Sequence, residues 1–235
     1  MAKTARLAIH EFPTATDAVV VLRSTWSKAV LGKTYSLTAE GGLARPDAYR
    51  AGMFFVPESI PVAGIRDLHA AWDWVAGQGG AILVRGGLTG ACVASGPCPG
   101  LITRRTAAYS TDGHRAGLDD VARHWVLLDM DDVPNVLGLD PRMDPRAVLA
   151  FLLSLLPRAI GRATVSWNWS SSMCAGTPEG QTPATLSVHL RIWLDTPLAH
   201  LAARRLLERL TEYVAARLRT HGAEPTTATP DWKVA

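Results

Sequence analysis

A chain of 235 residues is long enough to bury a sizeable core as one large domain or two small ones, and 48% hydrophobic against 19% charged residues excludes global disorder. Twenty-four basic residues against 21 acidic leave a net charge of +3, too mild to require a nucleic-acid partner by itself. The three cysteines, Cys92, Cys98 and Cys174, have no metal-ligand spacing, and so sparse and odd a count suits a reducing compartment.

The opening MAKTARLAIHEFP lacks the long apolar core of a secretory leader. DAVVVLRS (17–24) reads as a strand among turns carrying Gly and Pro. From Ile65 to Val75 the apolar residues Ile65, Leu68, Ala71, Trp72 and Val75 recur at helical spacing. AILVRGGL (81–88) reads as a buried strand running into a glycine turn, followed by a Gly/Pro/Cys connector that ends near Arg104 and Arg105. HWVLLDMDDVP (124–134) holds a strand over Trp125–Met130. MDPRAVLAFLLSLL (143–156) is expected to be a helix with Asp144 as N-cap and Pro145 in its first turn. Its run AVLAFLLSLLP (147–157) is too short for a bilayer, which asks for about 20 residues. The expected setting is therefore cytoplasmic, with no membrane partner. ATVSWNWS (163–170) and TLSVHLRIWLD (185–195) are two further strands, and Leu198 to His221 is a long amphipathic helix striped by Leu206, Leu207, Leu210, Val214 and Leu218. Strands and helices alternate irregularly, which indicates a mixed α/β or α+β fold.

The strand 125–130 is apolar enough for a sheet interior, yet it ends in three carboxylates. Residues two apart on a strand share a face, so Asp129 and Asp131 project together while Val126, Leu128 and Met130 face the core. Such a pair can hold hard divalent ions, Mg²⁺ or Mn²⁺. Alternatively the aspartates begin a turn, DDVPNVLG, and Asp132 suits that role. In the strand 185–195, Leu186, Val188, Leu190, Ile192 and Leu194 occupy one face, and Ser187, His189, Arg191, Trp193 and Asp195 the other. The second set is either a solvated polar face or an anion-binding row, in which hydroxyl, imidazole and guanidinium donate to phosphate oxygens. Basic groups of this kind facing a metal-binding strand would clamp a triphosphate at both ends.

These residues resemble the archaeo-eukaryotic primase superfamily, whose members include primase-polymerases of phages, plasmids and mobile elements. LLDMD (127–131) is similar to the first motif of that family and SVH (187–189) to the second, in the family's order. HLRIWLDTPL (189–198) and VRGGL (84–88) look like the phage and plasmid members, so that the resemblance spans roughly residues 80–200. It implies an α+β fold. A catalytic core around an antiparallel sheet of RNA-recognition-motif type (residues 101–225) would pack against an N-terminal α/β portion (residues 1–100), all in one domain over 1–235. It implies a DNA-templated nucleotidyltransferase, a primase or DNA polymerase of mobile-element replication. Such an enzyme takes NTP or dNTP substrates on a single-stranded DNA template, and a replicative helicase is its expected companion.

The resemblance assigns Asp129 and Asp131 to Mg²⁺ or Mn²⁺ and His189 to the phosphates of the incoming nucleotide, with Ser187 beside it. From the face pattern Arg191 joins the nucleotide-binding set, and Ser172 lies in a serine run that ends the neighbouring strand. Arg85, Arg104 and Arg105 are template-backbone candidates. The third family motif calls for a further carboxylate, for which Asp231 in TPDWKVA is the downstream candidate, though its flanks are polar. Asp195 is nearer His189, but the family's motif order speaks against it. A catalytically silent nucleic-acid-binding module on the same scaffold is the alternative from another class, and a metal-dependent nuclease would need a Lys or Glu that the carboxylate strand lacks. A zinc site from Cys92, Cys98 and His114, and base stacking by Trp167 and Trp169 in place of core packing, are further alternatives.

Overall fold

The computed structural model describes residues 17–26, 36–37, 43–44, 54–89, 102–106, 116–170, 173–174 and 176–223, with the backbone alone at 36–37, 43–44, 103–106 and 116. In chain order its elements are β1 (Asp17–Ser24), β2 (Ser36–Leu37), β3 (Leu43–Ala44), β4 (Phe55–Val62), α1 (Ile65–Ala76), β5 (Ala81–Val84), β6 (Gly87–Leu88), β7 (Thr103–Thr106) and β8 (Ala116–Asp119). They continue with β9 (Arg123–Pro134), α2 (Pro145–Ser154), α3 (Arg158–Gly161), β10 (Val165–Trp169), β11 (Thr185–Leu198) and α4 (His200–Thr220). The fold is mixed α+β with mainly antiparallel sheets. Among the described residues no helix is long and apolar enough to cross a membrane.

Two three-stranded sheets carry the architecture, ordered β4-β1-β5 and β10-β11-β9. In the second, β11 runs antiparallel to both neighbours, so β9 and β10 are parallel to each other with β11 between them. The helix α2 lies in the crossover from β9 to β10, and α4 follows β11. Both helices bury their apolar stripes against one face of this sheet: Val148, Phe151 and Leu152 from α2 and Leu207, Leu210 and Val214 from α4 meet Leu128, Met130, Val188 and Leu190. Period-two alternation on the strands and 3.6-residue spacing on the helices put these residues there. Trp167 and Trp169, partly buried, pack against the same cluster with ring centroids 4.8 Å apart.

The opposite face of the second sheet is covered as well. Trp125, Leu127 and Trp193 from it join a second cluster with Val19, Val21 and Val62 and with Leu68, Ala71 and Val75 of α1. The other face of β1, through Val20 and Leu22, packs on Phe55, Ile102 and Leu118. Burial on both sides explains why β1 reads as an unbroken apolar run.

Local chemistry sets the ends. Asp144 caps α2 by accepting Ala147 N–H at 2.9 Å, with Pro145 at the first helical position, as its sequence predicts. No side chain of its own caps α4; Asp120, distant in sequence, accepts His200 N–H at 3.0 Å, and Leu198 belongs to β11 rather than to the helix. The expected strand 81–88 is divided into β5 and β6, because Arg85 turns inward between them. The edge strand β4 escapes sequence reading through Pro57 and Pro61, which an edge tolerates and a central strand does not.

Arg85 and Arg123 join the two sheets. Arg123 donates to Asp17 Oδ1 (2.8 Å), Gly86 O (2.9 Å) and Arg85 O (3.0 Å). Arg85 in turn donates to Trp125 O at 3.2 Å and to Leu198 O. Burial pushes its pKa below the usual arginine value. With 5% of its surface exposed and its donors on backbone carbonyls, Arg85 is a structural tie rather than the template contact its sequence position suggests.

Candidate functional site

The strand β9 does not end at Met130 but continues through Pro134, so DDVP is no turn. Opposite β11 the pairing steps from Met130↔Val188 to Val133↔Leu186, three residues on one strand against two on the other. This is a β-bulge, with Asp131 and Asp132 opposing Ser187 alone. Asp132 takes φ 54, in the left-handed region, and its N–H donates to Ser187 Oγ at 3.1 Å. The extra residue lets Met130 and Val133 both face the core while Asp129 and Asp131 keep the other face. Ser187 is 3% exposed and holds the bulge. Its expected place beside the nucleotide is thus corrected to one that shapes the carboxylate strand.

On that other face one residue from each strand lines up. Asn168 on β10 pairs with His189 on β11, which pairs with Asp129 on β9. His189 Nε2 stands 3.1 Å from Asp129 Oδ1, with both side chains mostly but not wholly buried. The approach has an ion-pair distance but not a hydrogen-bond angle, and Asp129 Oδ1 receives no hydrogen bond although it is buried. On the imidazole's other side, Asn168 Nδ2 lies 3.2 Å from His189 Nδ1. Asn168 also gives Nδ2 to Trp169 O at 2.9 Å and receives Arg191 Nη1 on its Oδ1 at 2.7 Å.

The next row is Ser166, Arg191 and Leu127, and α1 roofs it. Arg191 Nε donates to Ser166 Oγ at 3.1 Å, and Ser166 Oγ meets His69 Nδ1 of α1 at 2.8 Å. His69 Nε2 reaches Asp73 Oδ2 at 3.2 Å. The indole of Trp72 covers the guanidinium, with Cζ 4.5 Å from its centroid, and stands 6.5 Å from the His189 ring. Arg191 is 0% exposed. Burial pulls its pKa down to about 10, partly opposed by Asp73, so it stays charged at neutral pH. Its Nη2 has no hydrogen-bond partner. Alternation correctly gives the face of Arg191 but not its cover: the guanidinium sits under a helix, and the expectation that it touches phosphate directly is corrected to contact with Asn168 and Ser166.

The structure therefore brings Asp129, Asp131 and His189 to one face, with Arg191 one row behind and Ser187 in the bulge. Arg85 lies at the joint between the sheets. Arg104 and Arg105 are on β7, with side chains outside the described residues, and Ser172, Asp231, Cys92, Cys98 and His114 are outside them altogether. Cys174 is a free, partly buried thiol. Sequence reasoning missed Asn168, Ser166, Trp72 and His69. The signal for the first two was present in VSWNW, where polar residues alternate with residues that pack in the core.

A buried carboxylate oxygen without a donor is costly unless a cation or proton comes to it. Asp129 Oδ1, with Asp131 two residues along the same face, is a donor set of the kind that hard divalent ions take. Among the described residues no group of three or more His, Cys, Asp or Glu is placed to hold a metal, so a third ligand would come from elsewhere. No protein-family model matches the chain, and no curated protein or solved structure matches it.

Proposed function

We propose that this chain is a DNA-templated nucleotidyltransferase, a primase or DNA polymerase of the kind that replicates phages, plasmids and other mobile elements. The observation that carries the reading is the 3.1 Å approach of His189 to Asp129 across the β9–β11 pairing. It is supported by the topology, in which two parallel strands flank an antiparallel one, helices cover one face and the polar row occupies the other. That is the arrangement expected of an RNA-recognition-motif core, with the residues that resemble the primase motifs on the face opposite α2 and α4.

In this reading Asp129 and Asp131 hold Mg²⁺ or Mn²⁺, and Asp231 supplies the third carboxylate. An ion held by these carboxylates would supply Lewis acidity for phosphoryl transfer. The imidazole of His189 donates from Nε2 to a phosphate oxygen of the incoming NTP or dNTP, and the bulge held by Ser187 sets the pitch between the two carboxylates. The substrate is completed by a single-stranded DNA template, with Arg104 and Arg105 kept as candidates for its backbone, and a replicative helicase is the expected companion.

The test is incorporation of labelled nucleotide on primed and unprimed single-stranded DNA with Mg²⁺ or Mn²⁺. The native chain incorporates, and a chain carrying both Asp129→Ala and Asp131→Ala does not. Template binding without incorporation by the native chain would replace this reading with that of a silent nucleic-acid-binding module. Incorporation by the double variant would remove the carboxylates from the site.

A further inference from the structure

The side chains behind His189 form a chain of donors and acceptors with a fixed direction. An arginine has donors only, so the atom 2.7 Å from Arg191 Nη1 must be the oxygen of the Asn168 amide. A carbonyl accepts only, so the atom 2.9 Å from Trp169 O must be the Asn168 nitrogen. Two independent partners thus fix the amide in one orientation. The same nitrogen lies 3.2 Å from His189 Nδ1 and donates to it. A ring nitrogen that accepts carries no proton, so the proton of the neutral imidazole is on Nε2, the nitrogen that faces Asp129.

We propose that Asn168, locked by the buried guanidinium of Arg191, is a positioning residue that holds His189 in the Nε2–H tautomer, so that the imidazole offers its one proton to the anionic group seated beside Asp129. This rests on the nucleotide-site reading above and adds the device that gives the site its polarity. It also gives a role to an arginine buried with one nitrogen unpartnered. The arginine orients the amide, and the amide orients the proton. Trp72 covers the guanidinium, with Arg191 Cζ 4.5 Å from its ring centroid.

The test uses the full chain labelled with ¹⁵N-histidine, with His189 assigned by loss of its signals in His189→Gln. Two-bond ¹H–¹⁵N correlation at a pH where the ring is neutral should show a bare Nδ1 and a protonated Nε2. In Asn168→Asp the carboxylate keeps the arginine as partner but offers only acceptors to the ring, so the proton should move onto Nδ1. Apparent KM for nucleotide should then rise tenfold or more, as is usual when the partner that orients a functional histidine is lost. Should Asn168→Asp not fold, Asn168→Ser, too short to reach the ring, should show both tautomers in exchange. A protonated Nδ1 in the native chain, or the native pattern in either variant, overturns the proposal. A proton that moves in Asn168→Asp while the native chain fails to incorporate nucleotide leaves the relay standing and removes only the nucleotidyltransferase reading.

Discussion

Asp129 and His189 are direct cross-strand partners in neighbouring strands, and their side chains meet at 3.1 Å on the face that the helices α2 and α4 leave free. Cross-strand partners lie close enough to act as one unit, and nothing longer-ranged than the β9–β11 register is needed to hold them together. Asp129 Oδ1 is buried there without a hydrogen bond, so the carboxylate costs the fold rather than supporting it. Truncating Asp129 to alanine should therefore abolish incorporation without lowering the unfolding free energy read from urea denaturation. His189→Ala should chiefly raise the apparent KM for nucleotide, and an unchanged KM would remove it from the phosphate site.

The bulge gives a second test. Ser187→Ala leaves the Asp132 N–H without its hydroxyl acceptor and should cost about 1–2 kcal/mol. It should also lower activity beyond that loss, through the displaced Asp131. Asp132 occupies φ 54, which glycine adopts freely and a β-branched residue resists. Asp132→Gly should be neutral or mildly stabilising and Asp132→Val destabilising by about 1–2 kcal/mol, both read from chemical denaturation.

Much of this arrangement is legible in the sequence, and the reasons the rest is not are local. The alternation in LSVHLRIWLD places every core residue of β11 on the correct face, and Asp144–Pro145 marks the start of α2 to the residue. Faces follow from period two alone; partners do not. That Asn168 and Asp129 flank His189 depends on register, which tertiary packing sets. That Arg191 and Arg85 are buried depends on what lies over them: the helix α1 in one case and the junction between two sheets in the other. An arginine beside two glycines, as in VRGGL, looks like a surface group until its carbonyl partners are known.

The arginine joint predicts a purely structural phenotype. Arg123→Ala removes the ion-pair partner of the buried Asp17 carboxylate, which keeps the Ala18 and His124 N–H groups, and should cost about 2–3 kcal/mol. Arg85→Met should destabilise by about 2 kcal/mol through its two abandoned carbonyls. Neither arginine reaches a phosphate, so the salt dependence of single-stranded DNA binding, measured on whatever fraction remains folded, should keep its native slope in both variants.

Arg191 predicts the reverse, a residue whose removal the fold tolerates and the site does not. Burial lowers its pKa from the usual arginine value to about 10. A base with a depressed folded pKa weakens the fold throughout the range below about 10, and this penalty fades only as pH rises from there toward its unfolded value. At pH 7 the penalty is fully present, because the group is charged in both states. Arg191→Met should consequently match native stability within about 1 kcal/mol, or exceed it, while nucleotide affinity drops. A large loss of stability with unchanged affinity would make Arg191 a structural residue only.

The most direct measurement is a crystal of the chain grown with Mn²⁺ and a non-hydrolysable nucleoside triphosphate, read by anomalous scattering. The account predicts a manganese peak in coordination contact with Asp129 and Asp131, and a triphosphate oxygen within hydrogen-bond distance of His189 Nε2. A triphosphate seated elsewhere on the chain, or manganese bound away from both carboxylates, would contradict it.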